Sequence, residues 1–317
     1  MPLVSFVMPV WQPRADWFLT AVRAVLGQRG VDLELVVVDH GNAEPLEGIL
    51  GEVADSRLRV VRIERRGKGP AEAFNAGLHA ARGEYLRWVG ADDTYELDST
   101  ARLLALADGR ADVVPYGWTT FCDVELRPIW TMRCQIAGDA TRACLFGRFA
   151  VRPSAMLFPS AVAEAVGDWD TSLPVSSDWD WVLRATEHAT VACDPRSAIF
   201  YRKNRQSVTG DLSRGLVGGG LVIDRYFERH PEQRGTAVER RARARLEAML
   251  ARASASKRRR SQAASLAARA LRRDPSSLAE EAWRSLPAVL GHTRARVRRR
   301  PPIDVSTLAA AEGVGLG

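Results

Sequence analysis

The sequence predicts an α/β protein, with a mostly parallel sheet flanked by helices and a basic helical segment after it. Three apolar runs of strand length lie at residues 3–10, 33–38 and 58–63, as expected for strands covered on both faces. Between the first two runs, apolar residues at helical spacing predict a helix over residues 16–25. Strands that alternate with helices favour a parallel sheet. The basic segment is predicted because basic residues accumulate after residue 231.

Composition limits the class of protein. The chain has 317 residues, of which 46% are hydrophobic and 26% charged, as in an ordinary globular protein. No apolar run reaches the roughly 18 residues of a membrane span, and the first residues lack the features of a signal peptide. We therefore expect a cytoplasmic protein. The four cysteines form no C-x-x-C pair, which predicts free thiols and neither a zinc site nor a disulfide framework.

The charge divides the chain into segments. Residues 1–231 hold 26 Lys and Arg against 30 Asp and Glu, whereas residues 232–300 hold 19 against 6. This asymmetry predicts a boundary near Pro231, between an α/β domain and a basic C-terminal segment. Residues 301–317 are expected to form a loose tail.

The basic segment has a helical pattern. Helices are predicted over residues 236–252, 261–273 and 276–290. Such helices suit an anionic membrane surface, where each basic residue contributes about 1 kcal/mol. They are equally consistent with solvated faces. Nucleic acid is a third alternative, but no recognised binding module is present.

A pair of acids ends the fourth predicted strand. Residues 85–89 read as a strand that leads directly to Asp92 and Asp93. Ligands of open α/β sheets bind beyond the carboxyl ends of the strands, and a hard cation on a diphosphate prefers carboxylate oxygens. The alternative is a helix start, with Asp93 as N-cap and Glu96 completing a capping box.

Asp39 repeats this pattern at the end of the second strand. One interpretation is an Asx turn, which Gly41 and Asn42 favour. The other is an acceptor for a ligand donor such as an imide N–H. After the third strand, residues 65–78 combine basic side chains and glycines at a helix start, where anions are favoured; a flexible basic turn is the alternative.

Two further acids lie in the first turn of a predicted helix that starts near Ser177. Asp178 and Asp180 would complement the helix dipole, worth about 0.3–1 kcal/mol each. Residues two apart on a helix point about 200° apart, so both cannot face one substrate. Upstream, a helix is predicted over residues 97–107, and strands over 111–116 and 152–158.

Residues 4–10, 35–41, 69–77 and 83–93 resemble, in order and spacing, successive motifs of the family 2 glycosyltransferases. These are inverting enzymes of the GT-A fold that use nucleotide-diphospho-sugars. Residues 177–180 resemble the family's Glu-Asp-x-Asp helix, with Ser177 replacing the Glu. The resemblance covers about residues 3–210.

The resemblance implies a role for several of these positions. It makes Asp178 the catalytic base and Asp92 the acid that binds a divalent cation, Mg or Mn. The first acid of the Asp-x-Asp motif is replaced by Gly90, and the usual histidine of the closing segment is replaced by Asn204, whose amide oxygen can still ligate the metal. The positions implied to bind the nucleotide-sugar are Pro9, Trp11, Asp39, Lys68, Asn75, Ala91 and Asp92.

The predicted function is therefore transfer of a sugar to an acceptor hydroxyl by a hexosyltransferase-type enzyme. The expected acceptor is a saccharide or a lipid-linked molecule in cell-surface polysaccharide or glycoconjugate synthesis. The protein itself is expected to contact the inner face of the membrane peripherally. One alternative is a nucleotide-sugar-binding module that loss of the acid at Gly90 has disabled. Another is a protein that binds membrane or nucleic acid through its basic helices.

Overall fold

Strands and helices alternate along the chain, which confirms the predicted α/β class. The computed structural model describes residues 1–51, 53–64, 69–149, 151–173, 175–203 and 212–289, the last range with side chains from 217 to 283. In chain order the elements are β1 (Leu3–Val10), α1 (Ala15–Leu26), β2 (Asp32–His40), α2 (Glu47–Leu50), β3 (Leu58–Ile63), α3 (Ala71–Ala80), β4 (Tyr85–Trp88), β5 (Thr94–Tyr95), α4 (Ser99–Ala107), β6 (Val113–Cys122), β7 (Pro128–Met132), α5 (Thr141–Leu145), β8 (Phe158–Pro159), α6 (Ser160–Val166), α7 (Ser177–His188), β9 (Thr190–Arg202), α8 (Leu212–Arg229), α9 (Ala237–Ser256), α10 (Arg260–Arg273) and α11 (Pro275–Val289).

The main sheet has the strand order β3-β2-β1-β4-β8. Its first four strands are parallel, and only β8 is antiparallel to its neighbour. β1 and β2 are buried almost throughout, because helices cover both faces of the sheet. α3 packs so closely on β1 that a Cβ at Gly77 would collide with Val7. This parallel arrangement places the ends of β1, β2 and β4 at one edge.

The strand predicted over residues 152–158 is wrong. Pro153 instead begins a 3-10 turn that ends at Ala155, and β8 contains only Phe158 and Pro159. Proline has no N–H to donate to a strand ladder, so Pro153 and Pro159 confine the pairing to a short edge.

A second sheet has the order β5-β9-β6-β7. β9 is 13 residues long, runs parallel to β6 and pairs antiparallel with β5. Its last residue, Arg202, thereby reaches the turn that follows β4. The second sheet thus holds the turn of the acid pair through hydrogen bonds from Arg202.

The C-terminal helices share a hydrophobic core with the sheet. Leu246 and Leu250 of α9 and Leu266 of α10 belong to the same buried cluster as Trp88 and Trp181. Three helices form where the sequence predicts them, and the boundary proposed at Pro231 stays a prediction. Within the described ranges, no helix has both the length and the apolar character needed to cross a membrane.

Acidic side chains pair with many of the arginines in these helices. Arg245 is fully buried and lies 3.0 Å from Glu281 of α11, and its guanidinium also donates to the carbonyls of Phe146 and Ser277. Arg269 and Arg273 lie 3.4 and 3.2 Å from the carboxylate of Glu247. Much of the positive charge of the described helices is therefore compensated inside the segment. The predicted tail, residues 301–317, lies outside the described residues.

Candidate active site

The carboxyl ends of the parallel strands form the edge on which the site lies. Val10 at the end of β1 is the neighbour of Asp39 on β2. On the other side of β1, β4 ends at Trp88, and the chain continues to Asp92 and Asp93. The acids that the sequence predicts at strand ends thus lie at the same edge of the sheet.

The two oxygens of the buried Asp39 carboxylate have different surroundings. Oδ1 accepts hydrogen bonds from the backbone N–H of Asn42 at 2.9 Å and from its side-chain amide at 2.7 Å. These contacts cap the loop as expected, although the backbone bond reaches the third following residue and not the second, as it would in an Asx turn. Oδ2 has no hydrogen-bond partner among the described residues, although Arg62 Nη1 lies 3.7 Å away. One oxygen therefore shapes the loop, and the other keeps its capacity to accept a ligand N–H.

Asn42 joins this turn to the loop after β1. Its Oδ1 accepts the backbone N–H of Gln12 at 2.6 Å, and its Nδ2 donates to the carbonyl of Val10 at 3.0 Å. The following loop carries Trp11, whose side chain is half exposed, next to the partly buried Pro9. Asn42 therefore holds the two predicted nucleotide-binding loops together.

The turn after β4 places two carboxylates side by side. Asp93 is buried and accepts the backbone N–H of Arg202 at 2.9 Å, while Arg202 Nε donates to the carbonyl of Asp92 at 2.8 Å. Burial raises the pKa of Asp92. Burial and the charge of Asp92 raise the pKa of Asp93 well above its usual range. A nearby cation would stabilise the ionised form of both carboxylates.

Gly90 leaves the space that these carboxylates occupy. A Cβ at this position would lie 2.7 Å from Asp93 Oδ2 and 3.3 Å from Asp92 Oδ1. The backbone N–H of Gly90 donates a hydrogen bond to the hydroxyl oxygen of Tyr95 at 2.9 Å, which stabilises the turn. The glycine that replaces the first acid of the motif thus lets Asp93 turn toward Asp92.

The residues present fit a divalent cation only in part. Asp92 and Asp93 offer convergent carboxylate oxygens, which Mg²⁺ and Mn²⁺ prefer. No group of three or more His, Cys, Asp or Glu in the described part of the chain could hold a metal ion. Asn204, the other predicted ligand, lies outside the described residues. The described residues therefore supply two carboxylates, and any further ligands must come from elsewhere.

Asp178 lies in the first turn of α7. It is half-buried, and among the described residues its carboxylate accepts a hydrogen bond only from the adjacent Trp179 N–H, at 2.9 Å. The preceding Ser176 adopts a positive φ of 67°, which non-glycine residues rarely do. α8 packs against this residue, since a Cβ at Gly218 would lie 2.9 Å from Ser176 Oγ. The start of α7 is thus held in a strained conformation that presents Asp178.

Asp180 serves the fold in a different way. It is buried, and its Oδ2 accepts a hydrogen bond from Arg184 Nε at 2.9 Å. Arg229 lies 3.9 Å from its other oxygen. Arg184 also donates to the carbonyls of Val166 and Asp168, which ties α7 to the end of α6. The two acids point in different directions, as their helical spacing predicts.

A cavity of about 340 Å³ adjoins Asp178. Trp179 and Val182 of α7, Phe149 and Arg152 from the preceding segment, and Met249 of α9 contribute to its lining. A role for Arg152 or Met249 at the site is not predicted from the sequence, because neither belongs to a motif. No local pattern signals a contact between residues about a hundred positions apart.

The other predicted binding residues have varied positions. The side-chain amide of Asn75 donates to the carbonyl of Trp169 at 3.0 Å and accepts its N–H at 2.8 Å. These bonds use one of the two amide N–H groups and one lone pair of the oxygen, so each atom can form a further hydrogen bond to a ligand. Ala91 lies in the turn next to Asp92, partly buried. Lys68 lies outside the described residues. None of these assignments is tested by the structure, and they stay predictions.

Similar proteins are found both by sequence and by fold. Residues 5–156 match the family model "Glycosyl transferase family 2". The succinoglycan biosynthesis protein ExoO of Rhizobium meliloti is 35% identical over 108 residues, which are 34% of this chain and 30% of that protein. An uncharacterized glycosyltransferase of Haemophilus influenzae is 31% identical over 39% of this chain and 50% of its own length. The chain thus matches half or less of these two relatives.

The fold resembles a solved structure over nearly its whole length. TarS residues 1–349 of S. aureus, crystallised with UDP-GlcNAc, align with a TM-score of 0.56 over 90% of this chain and 92% of that one. The sequence identity is 14%, so the similarity concerns the fold alone. With the parallel sheet and the acid turn after β4, these matches confirm the predicted GT-A fold. Over residues 5–156, just under half of the chain, the sequence is similar to the family 2 glycosyltransferases, as the motifs predict.

Proposed function

We propose that the protein transfers a sugar from a nucleotide-diphospho-sugar to an acceptor hydroxyl, with inversion at the anomeric carbon. The observation that carries the proposal is the contrast within α7. Asp180 is committed to an ion pair with Arg184, whereas Asp178 lines a cavity. A base must reach the proton that it removes, and only Asp178 meets that condition.

The nucleotide would bind at the ends of β1 and β2. Asp39 Oδ2 can accept the imide N–H of uracil or thymine, because it has no hydrogen-bond partner among the described residues, whereas Oδ1 already accepts from Asn42. The TarS structures obtained with UDP-GlcNAc and UDP support a donor of this class. We therefore expect UDP to bind more tightly than CDP, whose base has no imide N–H.

The diphosphate would lie at the turn after β4. Asp92 and Asp93 would hold a divalent cation there, with the nucleotide supplying further ligands. When bound, such a cation neutralises charge that develops on the leaving nucleoside diphosphate. Asp178 would accept the proton of the acceptor hydroxyl as that oxygen attacks from the opposite face.

The test is hydrolysis and transfer with a panel of nucleotide-sugars, each with and without Mn²⁺. Turnover of any donor, lost in Asp178→Asn, is the expected outcome. Tight binding of a nucleotide-sugar without turnover under any condition would instead indicate the binding module. Turnover retained in Asp178→Asn would contradict the assigned base.

We further propose contact with the inner face of the membrane. Between α9 and α10 the residues 257–260 are all basic and exposed. Binding to vesicles should rise with anionic lipid and fall with salt, since exposed charges are screened over about 10 Å at 0.1 M. Binding that ignores both variables would contradict this proposal.

A further inference from the structure

The cavity beside Asp178 has an unusual lining for a site that receives a sugar hydroxyl. Its volume of about 340 Å³ is near the lower end of ligand pockets, roughly 300–1,000 Å³. Met132, Phe149, Val182 and Met249 line it with apolar surface, and Asp178 and Arg152 are its charged side chains. A fully hydroxylated sugar ring would leave most of its hydroxyls without partners on such walls.

One wall comes from the C-terminal segment. Met249 of α9 packs against Gly147, where a Cβ would lie 2.7 Å from its Sδ. The positive φ of 62° at Gly147 also favours glycine. Because Arg245 on the same helix donates to the carbonyl of Phe146, α9 is attached to this loop next to the cavity. α9 therefore contributes one wall of the cavity.

Arg152 connects the cavity with the acid pair. It lines the cavity, and its positive charge lowers the pKa of Asp93, against the dominant effect of burial. Its guanidinium also lies over the ring of Tyr201, 4.7 Å from the centroid. Arg152 therefore lies between the cavity and the ring of Tyr201.

We propose that this cavity binds a compact apolar group, no larger than about two aromatic rings, next to the reacting hydroxyl of the acceptor, and that α9 completes its wall through Met249. The proposal rests on Asp178 as the base of the proposed function. It assigns to the C-terminal segment a part in acceptor selection. Trp179 offers a ring face to such a group, and Met249 offers a polarisable thioether.

The test compares acceptors that differ only in the group attached to the sugar. Methyl and phenyl glycosides of glucose, galactose, N-acetylglucosamine and rhamnose are titrated by calorimetry into the full chain with UDP and Mn²⁺ present. We expect a phenyl glycoside to bind at least about tenfold more tightly than its methyl counterpart, since apolar pockets discriminate by about 10–200-fold per small apolar group. Equal affinities for every pair would overturn the proposal without any variant being needed.

Two substitutions assign the effect to α9. Met249→Gln keeps the length of the side chain but places an amide in the cavity, and it should remove most of the phenyl preference. Met249→Leu should retain it. Leu271→Gln is the matched control, because Leu271 is 53% exposed on α10 and does not line the cavity. A phenyl preference that survives Met249→Gln would show that the apolar group binds elsewhere.

The outcomes separate this inference from the proposed function. Hydrolysis of a donor in water tests the donor site and Asp178 without any acceptor. If a donor is hydrolysed but phenyl and methyl glycosides bind alike, the acceptor inference fails alone. If a prenyl phosphate binds more tightly than every phenyl glycoside and loses this affinity in Met249→Gln, the occupant is a long chain and the assigned size is wrong.

Discussion

The first-turn acids of α7 offer the sharpest test of the site, because the structure gives them opposite roles. Asp178→Asn keeps the shape and one hydrogen-bond acceptor for the Trp179 N–H but removes the basic oxygen. Asp180→Asn leaves the cavity unchanged and removes the negative charge that Arg184 faces at 2.9 Å. One variant should therefore lose rate and the other stability.

For Asp178→Asn, the expected loss is in turnover. A positioned general base contributes about 10²–10⁴-fold to the rate, so the variant should lose an amount within that range. Donor affinity should change little, since the proposed nucleotide contacts lie at the ends of β1 and β2. The melting temperature should change by at most about 4 °C, because a first-turn acid stabilises a helix by at most about 1 kcal/mol, which corresponds to about 2–4 °C.

For Asp180→Asn, the expected loss is in the free energy of unfolding. Its carboxylate is 3% exposed, and removing one partner of a buried ion pair costs about 3–5 kcal/mol. Because an asparagine oxygen still accepts one hydrogen bond from Arg184, we expect the lower end, about 3 kcal/mol. At about 2–4 °C per kcal/mol, the melting temperature should fall by about 6–12 °C.

The assay measures transfer rate, donor affinity and thermal unfolding on both variants at the same pH and temperature, with rates taken well below either melting point. Arg110→Gln is a suitable surface control, since its ion pair with Asp112 is exposed on both sides. An Asp180→Asn variant with normal stability and a hundredfold lower rate would refute this reasoning. It would mean that the motif is aligned on the wrong helical face.

Three further predictions concern the acid pair and the C-terminal helices. With only two described carboxylates at the turn, calorimetry should show weak Mn²⁺ binding to the free protein and tight binding once UDP is present; equal affinity would indicate a preformed metal site. Asp93→Asn should raise the melting temperature at neutral pH and weaken Mn²⁺-dependent UDP binding. Because the pKa of Asp93 is raised in the folded state, the unsubstituted protein loses stability as pH rises through that pKa. The gain in melting temperature from Asp93→Asn should therefore shrink as pH falls toward 3.8. A gain that does not depend on pH would contradict this cause. Truncation after Pro231 removes Leu246 and Leu250 from the main core and should abolish cooperative unfolding; a truncated protein that melts normally would show that residues 1–231 fold alone.

Much of the sheet edge could be predicted because strand ends carry a local signal. An apolar run that stops at an acid identifies both the strand and the position of its carboxyl end, as at Asp39 and Asp92. The same signal leaves open what the acid does there. At Asp39 one oxygen caps the loop, and the other has no hydrogen-bond partner among the described residues, so the structure is compatible with both interpretations.

Other features of the site depend on contacts that no local pattern reveals. Arg202 holds the turn of Asp92 and Asp93 with its backbone N–H and its guanidinium, across a sequence separation of 109 and 110 positions. Met249 reads as one apolar residue of a basic helix, although it forms a wall beside Asp178. Both positions acquire their surroundings only when distant segments pack together.

The net charge of the C-terminal segment shows why geometry must be added to composition. Counted along the chain, the excess of arginine suggests a polyanion as partner. In the fold, Arg245 is buried against Glu281, and Arg269 and Arg273 converge on Glu247. Removing one partner of the buried pair costs about 3–5 kcal/mol, whereas an exposed pair contributes at most about 1 kcal/mol. Substituting Arg245 should therefore loosen α9 and with it the cavity wall, whereas neutralising residues 258–260 should change vesicle binding alone. The paired arginines thus stabilise the helices, and only the exposed basic residues can reach an external anion.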